Sequence, residues 1–291
     1  MLYTIKNKNI IVEIADMGGE LMSIKSVDGR EYLWQGNPDF WSGRAYNLFP
    51  IVGRLTEGKY TYKGKTYEMN LHGFVRKTQL SIACQGMDSI TFYLKSNEDT
   101  LKMYPFEFDY RLTYTLKDST VIITYEVTNA SEEVMPFAVG GHPGFNVPLC
   151  EDETFEDYYL EFDKEAPVKE LVLSETCYMT DGEKDFKLED GKILRLKHNL
   201  FDNDAIVLKD MSKKVTLKSK KRRKSITLAY PDMKYLGIWH KPKSKAPYVC
   251  IEPWISVPAY DNVIDDLETK RDMKKLKSGD KYSNTFTITI K

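Results

Sequence analysis

The sequence predicts an all-β protein: one large antiparallel β-sandwich with few short helices, forming a single domain over residues 1–291. Three observations carry that expectation. Apolar and polar residues alternate with period two through long stretches, turn-forming residues punctuate them, and long amphipathic helical patterns are nearly absent. A chain of 291 residues that is 42% hydrophobic and 29% charged can bury a large core. All-β domains often run to roughly 250 residues as one unit.

Taken in order, residues 10–15 and 20–26 read as opening strands divided by Gly18-Gly19. Residues 38–42 read as a turn. Phe108, Tyr110, Leu112, Tyr114 and Leu116 alternate with polar residues; after Lys117-Asp118-Ser119, the apolar series resumes at Val121, Ile123, Tyr125 and Val127. Two such runs across a short polar turn predict an antiparallel hairpin. Comparable runs occupy residues 89–95, 205–209, 214–218, 225–230 and 285–291. Turns are expected at Asp28-Gly29, Lys63-Gly64-Lys65, Asp181-Gly182, Asp190-Gly191 and Ser278-Gly279. Residues 261–268 are the strongest helical candidate. The basic run KSKKRRK at 218–224 reads as a solvated hairpin tip that blunts edge pairing, in preference to an anion or nucleic-acid patch. The acidic stretch 151–157 reads as a surface loop.

Composition narrows the function classes. A formal charge of −1 supplies no general attraction to nucleic acid or acidic membranes. Cys84, Cys150, Cys177 and Cys250 are far apart with no C-x-x-C pair, so neither a zinc site nor a disulfide framework is signalled. The N-terminal stretch lacks the apolar core of a signal peptide, and no segment is long and apolar enough to span a bilayer. A soluble cytoplasmic protein, monomer or homodimer, with a small-molecule partner is the expectation. No P-loop, G-x-G-x-x-G, G-x-S-x-G or H-E-x-x-H occurs, so no cofactor and no metal are expected.

Four stretches depart from the alternating pattern: NLFPIVGRL at 47–55, LHGFVRK at 71–77, VGGHPGFNVP at 139–148 and VCIEPW at 249–254. In the third, His142 stands between a Gly pair, with its backbone freedom, and Pro143, which disfavours α geometry at the preceding residue. An ionisable ring so held reads as positioned; the alternative is a turn histidine satisfied by carbonyls. In the fourth, Glu252 sits in apolar surroundings, where a carboxylate is costly to bury and its pKa is perturbed. Two histidines, a carboxylate and arginine, with Trp and Phe nearby, suit proton transfer on a polar uncharged ligand that stacks on aromatic faces.

The motifs NLFPIVGRL, HGF, GHPGFNVP and IEPW, in that order, resemble the aldose 1-epimerase (galactose mutarotase-like) family, and more narrowly its bacterial LacX-type branch. The resemblance runs through nearly the whole chain and implies a β-supersandwich. It implies His142 as general acid and Glu252 as general base, with Arg54 and His72 holding the ligand. The family's hydroxyl-holding aspartate corresponds to Asp204, or to Asp202 in the same Asp-Asn-Asp segment, and Phe145 and Trp239 resemble apolar walls. Arg44 and Arg76 lie near the matched motifs, where hexose-6-phosphate mutarotase relatives hold phosphate; surface charge is the plainer reading of both. After IEPW the chain reads Ile255-Ser256-Val257-Pro258, a departure that prevents transfer of specificity.

The implied chemistry suits these residue types. A base removes the C1 hydroxyl proton, an acid protonates the ring oxygen, the ring opens, and closure on the other face inverts the anomer. A histidine titrates near neutrality and a perturbed carboxylate can be its counterpart. Two other readings compete: a non-catalytic carbohydrate-binding or sensing protein, and a glycoside hydrolase or lyase. Hydrolysis normally needs two flanking carboxylates, and only Glu252 sits in a motif, with Asp204 the sole candidate partner.

Overall fold

The hairpin with the clearest alternation lies inside the larger of two sheets. Phe108–Lys117 and Thr120–Asn129 pair antiparallel with Leu116 opposite Val121 and Tyr110 opposite Val127, so one face carries buried apolar side chains. The computed structural model describes residues 1–291. The larger sheet has nine strands, in the order Ile193–Arg195, Tyr158–Phe162, Lys214–Ser219, Ser225–Ala229, Lys281–Ile290, Thr120–Asn129, Phe108–Lys117, Ser89–Lys95 and Ser81–Gln85. Its outer face carries cross-strand threonine pairs, Thr124 with Thr285 and Thr216 with Thr227, each 2.9 Å between hydroxyls.

The second sheet has seven strands: Met179–Asp185, Lys169–Leu173, Ile206–Lys209, Tyr235–Trp239, Tyr248–Trp254, Gly140–Asn146 and Ala45–Leu48. Every strand pairing is antiparallel. Tyr248–Trp254 is buried at every position, so it reads as a continuous apolar run interrupted by Glu252. The two sheets meet in one core. A Cβ on Gly141 of the smaller sheet would come within 2.7 Å of the Phe286 ring of the larger. Asn47 ties the sheets together: its Nδ2 donates to the carbonyls of Gly18 and Gly19, and its Oδ1 accepts from the Tyr125 hydroxyl at 2.9 Å.

The all-β expectation holds, with local corrections. Residues 261–268 form turns and extended loop, not a helix. The one α-helix is Glu98–Met103, started by Asn97, whose side chain accepts from the N–H groups of Asp99 and Thr100. Asp181-Gly182 lies within the strand Met179–Asp185, not at a turn. Gly140 and Gly141 are strand residues without positive φ; they are needed for space, since a Cβ at Gly140 would sit 2.8 Å from the Trp254 ring.

The basic run is a hairpin tip, as its position implied, but it is not simply solvated. Lys221 pairs with Asp157 at 2.7 Å, Arg222 with Asp152 and Lys224 with Asp28. The acidic stretch is correspondingly more than a surface loop: Glu153 is buried and accepts from Ser219 and Tyr158, and Phe155 joins the core. No helix is long and apolar enough to cross a membrane.

Candidate active site

Strand register assembles the site. Gly140 faces Trp254 and Gly144 faces Cys250 across the central pair, which places His142 directly opposite Glu252. On the flanks Tyr46 is opposite His142, and Gly237 is opposite both Glu252 and Val207. A single transverse row, Tyr46–His142–Glu252–Gly237–Val207, therefore runs across the sheet. Because Gly237 has no side chain, the Trp254 ring fits beside it; a Cβ there would be 2.8 Å from that ring.

Above this row is a cleft of about 220 Å³. Arg54, His72, Arg76, His142, Asp204, Trp239 and Glu252 all line it. His142 Nε2 and Glu252 Oε2 are 3.2 Å apart. Oε2 and the other ring nitrogen of His142, Nδ1, make no hydrogen bond, so the two side chains approach closely without being locked together. Glu252 is 1% exposed and His142 9%. Burial raises the Glu252 carboxyl well above the usual carboxylate range, and the charge of Asp204 adds to the effect. Burial lowers the His142 imidazole to about 3, with a further push from Arg76. In the protein alone, the pair favours a neutral imidazole beside a protonated carboxyl, the uncharged arrangement that a dry site prefers.

His72 is fixed by its backbone. Its N–H donates to the Gly53 carbonyl at 2.8 Å, and its Nδ1 accepts the Gly53 N–H at 3.0 Å. A neutral ring that accepts at Nδ1 carries its proton on Nε2, and burial keeps this ring neutral. His72 and Gly73 both have positive φ, 62° and 77°, and a Cβ on Gly73 would lie 2.1 Å from the Phe49 carbonyl oxygen. The glycine of the HGF motif is therefore required twice over, by conformation and by contact.

Asp204 also has positive φ and accepts the indole N–H of Trp239 at 2.6 Å, which orients both groups toward the cleft. Asp202, the other aspartate of that segment, does not line the cleft. Arg54 donates to the Thr176 carbonyl and Arg76 to the Leu71 carbonyl, with the Arg76 guanidinium over the Tyr46 ring. Neither arginine has a carboxylate within ion-pair distance, whereas Arg111, Arg195, Arg222 and Arg271 each have one.

One placement differs from expectation. Phe145 is not a wall of the cleft; it is fully buried in the core, paired with Val249 on the neighbouring strand. Arg44 holds the Met22 carbonyl and the Gln35 side chain outside the cleft. Sequence reasoning missed Trp41, Tyr46 and Cys177 and gave Trp254 no role; these four line the cleft, as does Pro258 of the segment that departs from the family. Trp41 matters most, since its ring lies 4.9 Å from that of His142 at an interplanar angle of 30°. It comes from the loop read only as a turn, and no periodicity marks it. Tyr46 could have been found from its position beside the NLFP motif.

Comparison with known proteins bears on the fold and the family. The sequence-family model for aldose 1-epimerase matches residues 1–289. The chromosomal LacX protein of Lactococcus lactis subsp. lactis is 35% identical over 298 aligned residues, covering 100% of this chain and 99% of the relative. A galactose mutarotase related enzyme from Lactobacillus acidophilus is 37% identical with a TM-score of 0.94, covering 100% of this chain and 97% of that one. A galactose mutarotase-like protein from Lactobacillus casei is 32% identical with a TM-score of 0.95, and each chain is fully covered. With the motif order, the supersandwich and near-complete coverage in agreement, the chain belongs to the aldose 1-epimerase family.

Proposed function

We propose that the protein is a mutarotase that interconverts the α and β anomers of an aldohexose or related sugar, with His142 as general acid and Glu252 as general base. The observation that carries this reading is the 3.2 Å approach of His142 Nε2 to Glu252 Oε2 at the floor of the cleft. The two oxygens that must lose and gain protons, the C1 hydroxyl and the ring oxygen, are bonded to the same carbon. A donor and an acceptor side by side can address both at once.

The protonation states support a closed cycle. Hydrogen bonds from bound sugar hydroxyls favour a carboxylate at Glu252, and its proton then resides on His142. His142 protonates the ring oxygen while Glu252 takes the C1 proton, and the pair returns to neutral imidazole and carboxyl while the sugar is open. That neutral form is the one burial favours in the protein alone. Ring closure on the other aldehyde face reverses both transfers. His72 Nε2–H and the Arg54 guanidinium are donors to sugar oxygens, Asp204 accepts from hydroxyls, and Trp239 and Trp41 offer ring faces.

Phosphorylated aldoses are a second substrate class, favoured by the absence of carboxylate partners for Arg54 and Arg76. Polarimetry on freshly dissolved α-glucose, α-galactose and hexose 6-phosphates tests both readings. Glu252→Gln is expected to lose on the order of 10²–10⁴-fold in rate. Sugar binding by calorimetry without rate enhancement on any of these sugars would replace the enzyme reading with that of a carbohydrate-binding protein.

A further inference from the structure

We propose that His142, Cys250 and Glu252 form a binding site for a borderline-soft divalent cation of the zinc or cobalt type. The fold makes this triad, and its members lie more than a hundred positions apart at the widest. Cys250 and Glu252 are two apart on one strand and so share a face, and His142 projects beside them from the neighbouring strand. One imidazole nitrogen, the sulfur and one carboxylate oxygen all lie within 4.8 Å of one another, and all three residues are buried.

The His142–Glu252 edge fits a tetrahedral ion. With nitrogen and oxygen ligands at about 2.0–2.1 Å, the edge between them is about 3.3 Å. The His142–Glu252 approach is 3.2 Å. The sulfur need close only the remainder, and Gly144 leaves room beside it, since a Cβ there would be 3.3 Å from Cys250 Sγ. Glu252 Oε2 points at His142 Nε2 yet has no hydrogen-bond partner, so an electron-pair acceptor between them would satisfy a buried oxygen.

Charge also balances. Binding expels the thiol proton and the carboxyl proton to solvent, so a thiolate and a carboxylate together neutralise a divalent ion, and the buried complex carries no net charge. Arg54 and Arg76 slow the approach of a free cation but act on no net charge once it is held. Thiolate and imidazole select zinc or cobalt over magnesium or calcium, which require oxygen cages. An ion here would occupy the same two side chains as the proposed proton transfer. Its existence does not depend on that reading.

The test is a cobalt(II) titration of the reduced, chelator-stripped full-length protein, followed by near-ultraviolet thiolate-to-cobalt absorption. One equivalent per chain is expected, displaced by zinc and unaffected by magnesium. Cys250→Ser and Cys250→Ala should abolish the band, and His142→Asn should weaken affinity by more than the roughly 10–100-fold typical of outer-shell changes. Circular dichroism checks that the variants fold. Absence of the band in the unsubstituted protein, or its survival in either Cys250 variant, overturns the proposal; survival would place the ion on Cys84, Cys150 or Cys177.

Discussion

Replacing His142 by Asn should make the protein less sensitive to acid, and the size of the effect follows from how deeply the ring is buried. The folded-state pKa of His142 is about 3, against 6.5 for an exposed histidine. Between these values the unfolded chain binds a proton that the folded chain refuses, so stability falls as pH drops through the window and is flat above 6.5. Each unit is worth about 1.36 kcal/mol, so between pH 7.5 and 4.5 this one ring should remove roughly 2–3 kcal/mol. Asparagine keeps a similar shape and removes the titration. Glu252 acts with the opposite sign, losing stability as pH rises above its unfolded value near 4.5, but it is present in both proteins. Guanidinium unfolding of both proteins at pH 7.5 and 4.5 measures the difference. The unsubstituted protein should lose roughly 2–3 kcal/mol more than the variant. Equal losses would refute the reasoning, because they would mean that His142 titrates in the folded protein as it does in the unfolded chain; a smaller loss in the unsubstituted protein would mean a preformed ion pair with Glu252.

Gly73→Ala and Gly279→Ala separate backbone strain from contact, since both glycines have φ of 77° but only Gly73 has a neighbour, the Phe49 oxygen, within reach of a Cβ. Thermal melting should show a loss of about 1 kcal/mol for Gly279→Ala and more than about 2 kcal/mol for Gly73→Ala. Asn47→Leu leaves the Gly18 carbonyl without its donor, while the Gly19 carbonyl keeps the Tyr114 hydroxyl and the Tyr125 hydroxyl keeps the Gly140 carbonyl, and denaturant unfolding should register a loss of about 1–3 kcal/mol. Trp239→Phe removes the donor to Asp204 and, on the mutarotase reading, should raise KM about tenfold with a smaller change in kcat, in line with a charge-assisted hydrogen bond.

The fold class was legible in the sequence because strand periodicity is a local property. Each of Tyr110, Leu112 and Tyr114 needs only its immediate neighbours to declare which face it occupies. The basic hairpin tip and most glycine turns were legible for the same reason. Asp181-Gly182 and residues 261–268 were misread because local pattern yields to tertiary pairing: the first is held by the Lys169–Leu173 strand, and the second is held extended by Asp265–Thr61 and Leu267–Thr61 backbone bonds. The one helix was missed because six residues are too few to show a helical period, although the Asn97 cap was present to be read.

Resemblance in four motifs singled out His142, Glu252, Arg54 and His72, and the family's aspartate pointed to Asp204 or Asp202; the first four and Asp204 share one cleft. The sequence alone could not say that His142 faces Glu252, that Trp41 folds over the His142 ring, or that Cys250 lies beside both. Those relations depend on register between strands far apart in the chain, and register is set by the packing of the whole sheet against its partner. Local composition determined the strands and supplied the chemical groups; only the paired sheets decided which groups meet, because a one-residue slip would turn Glu252 to the opposite face.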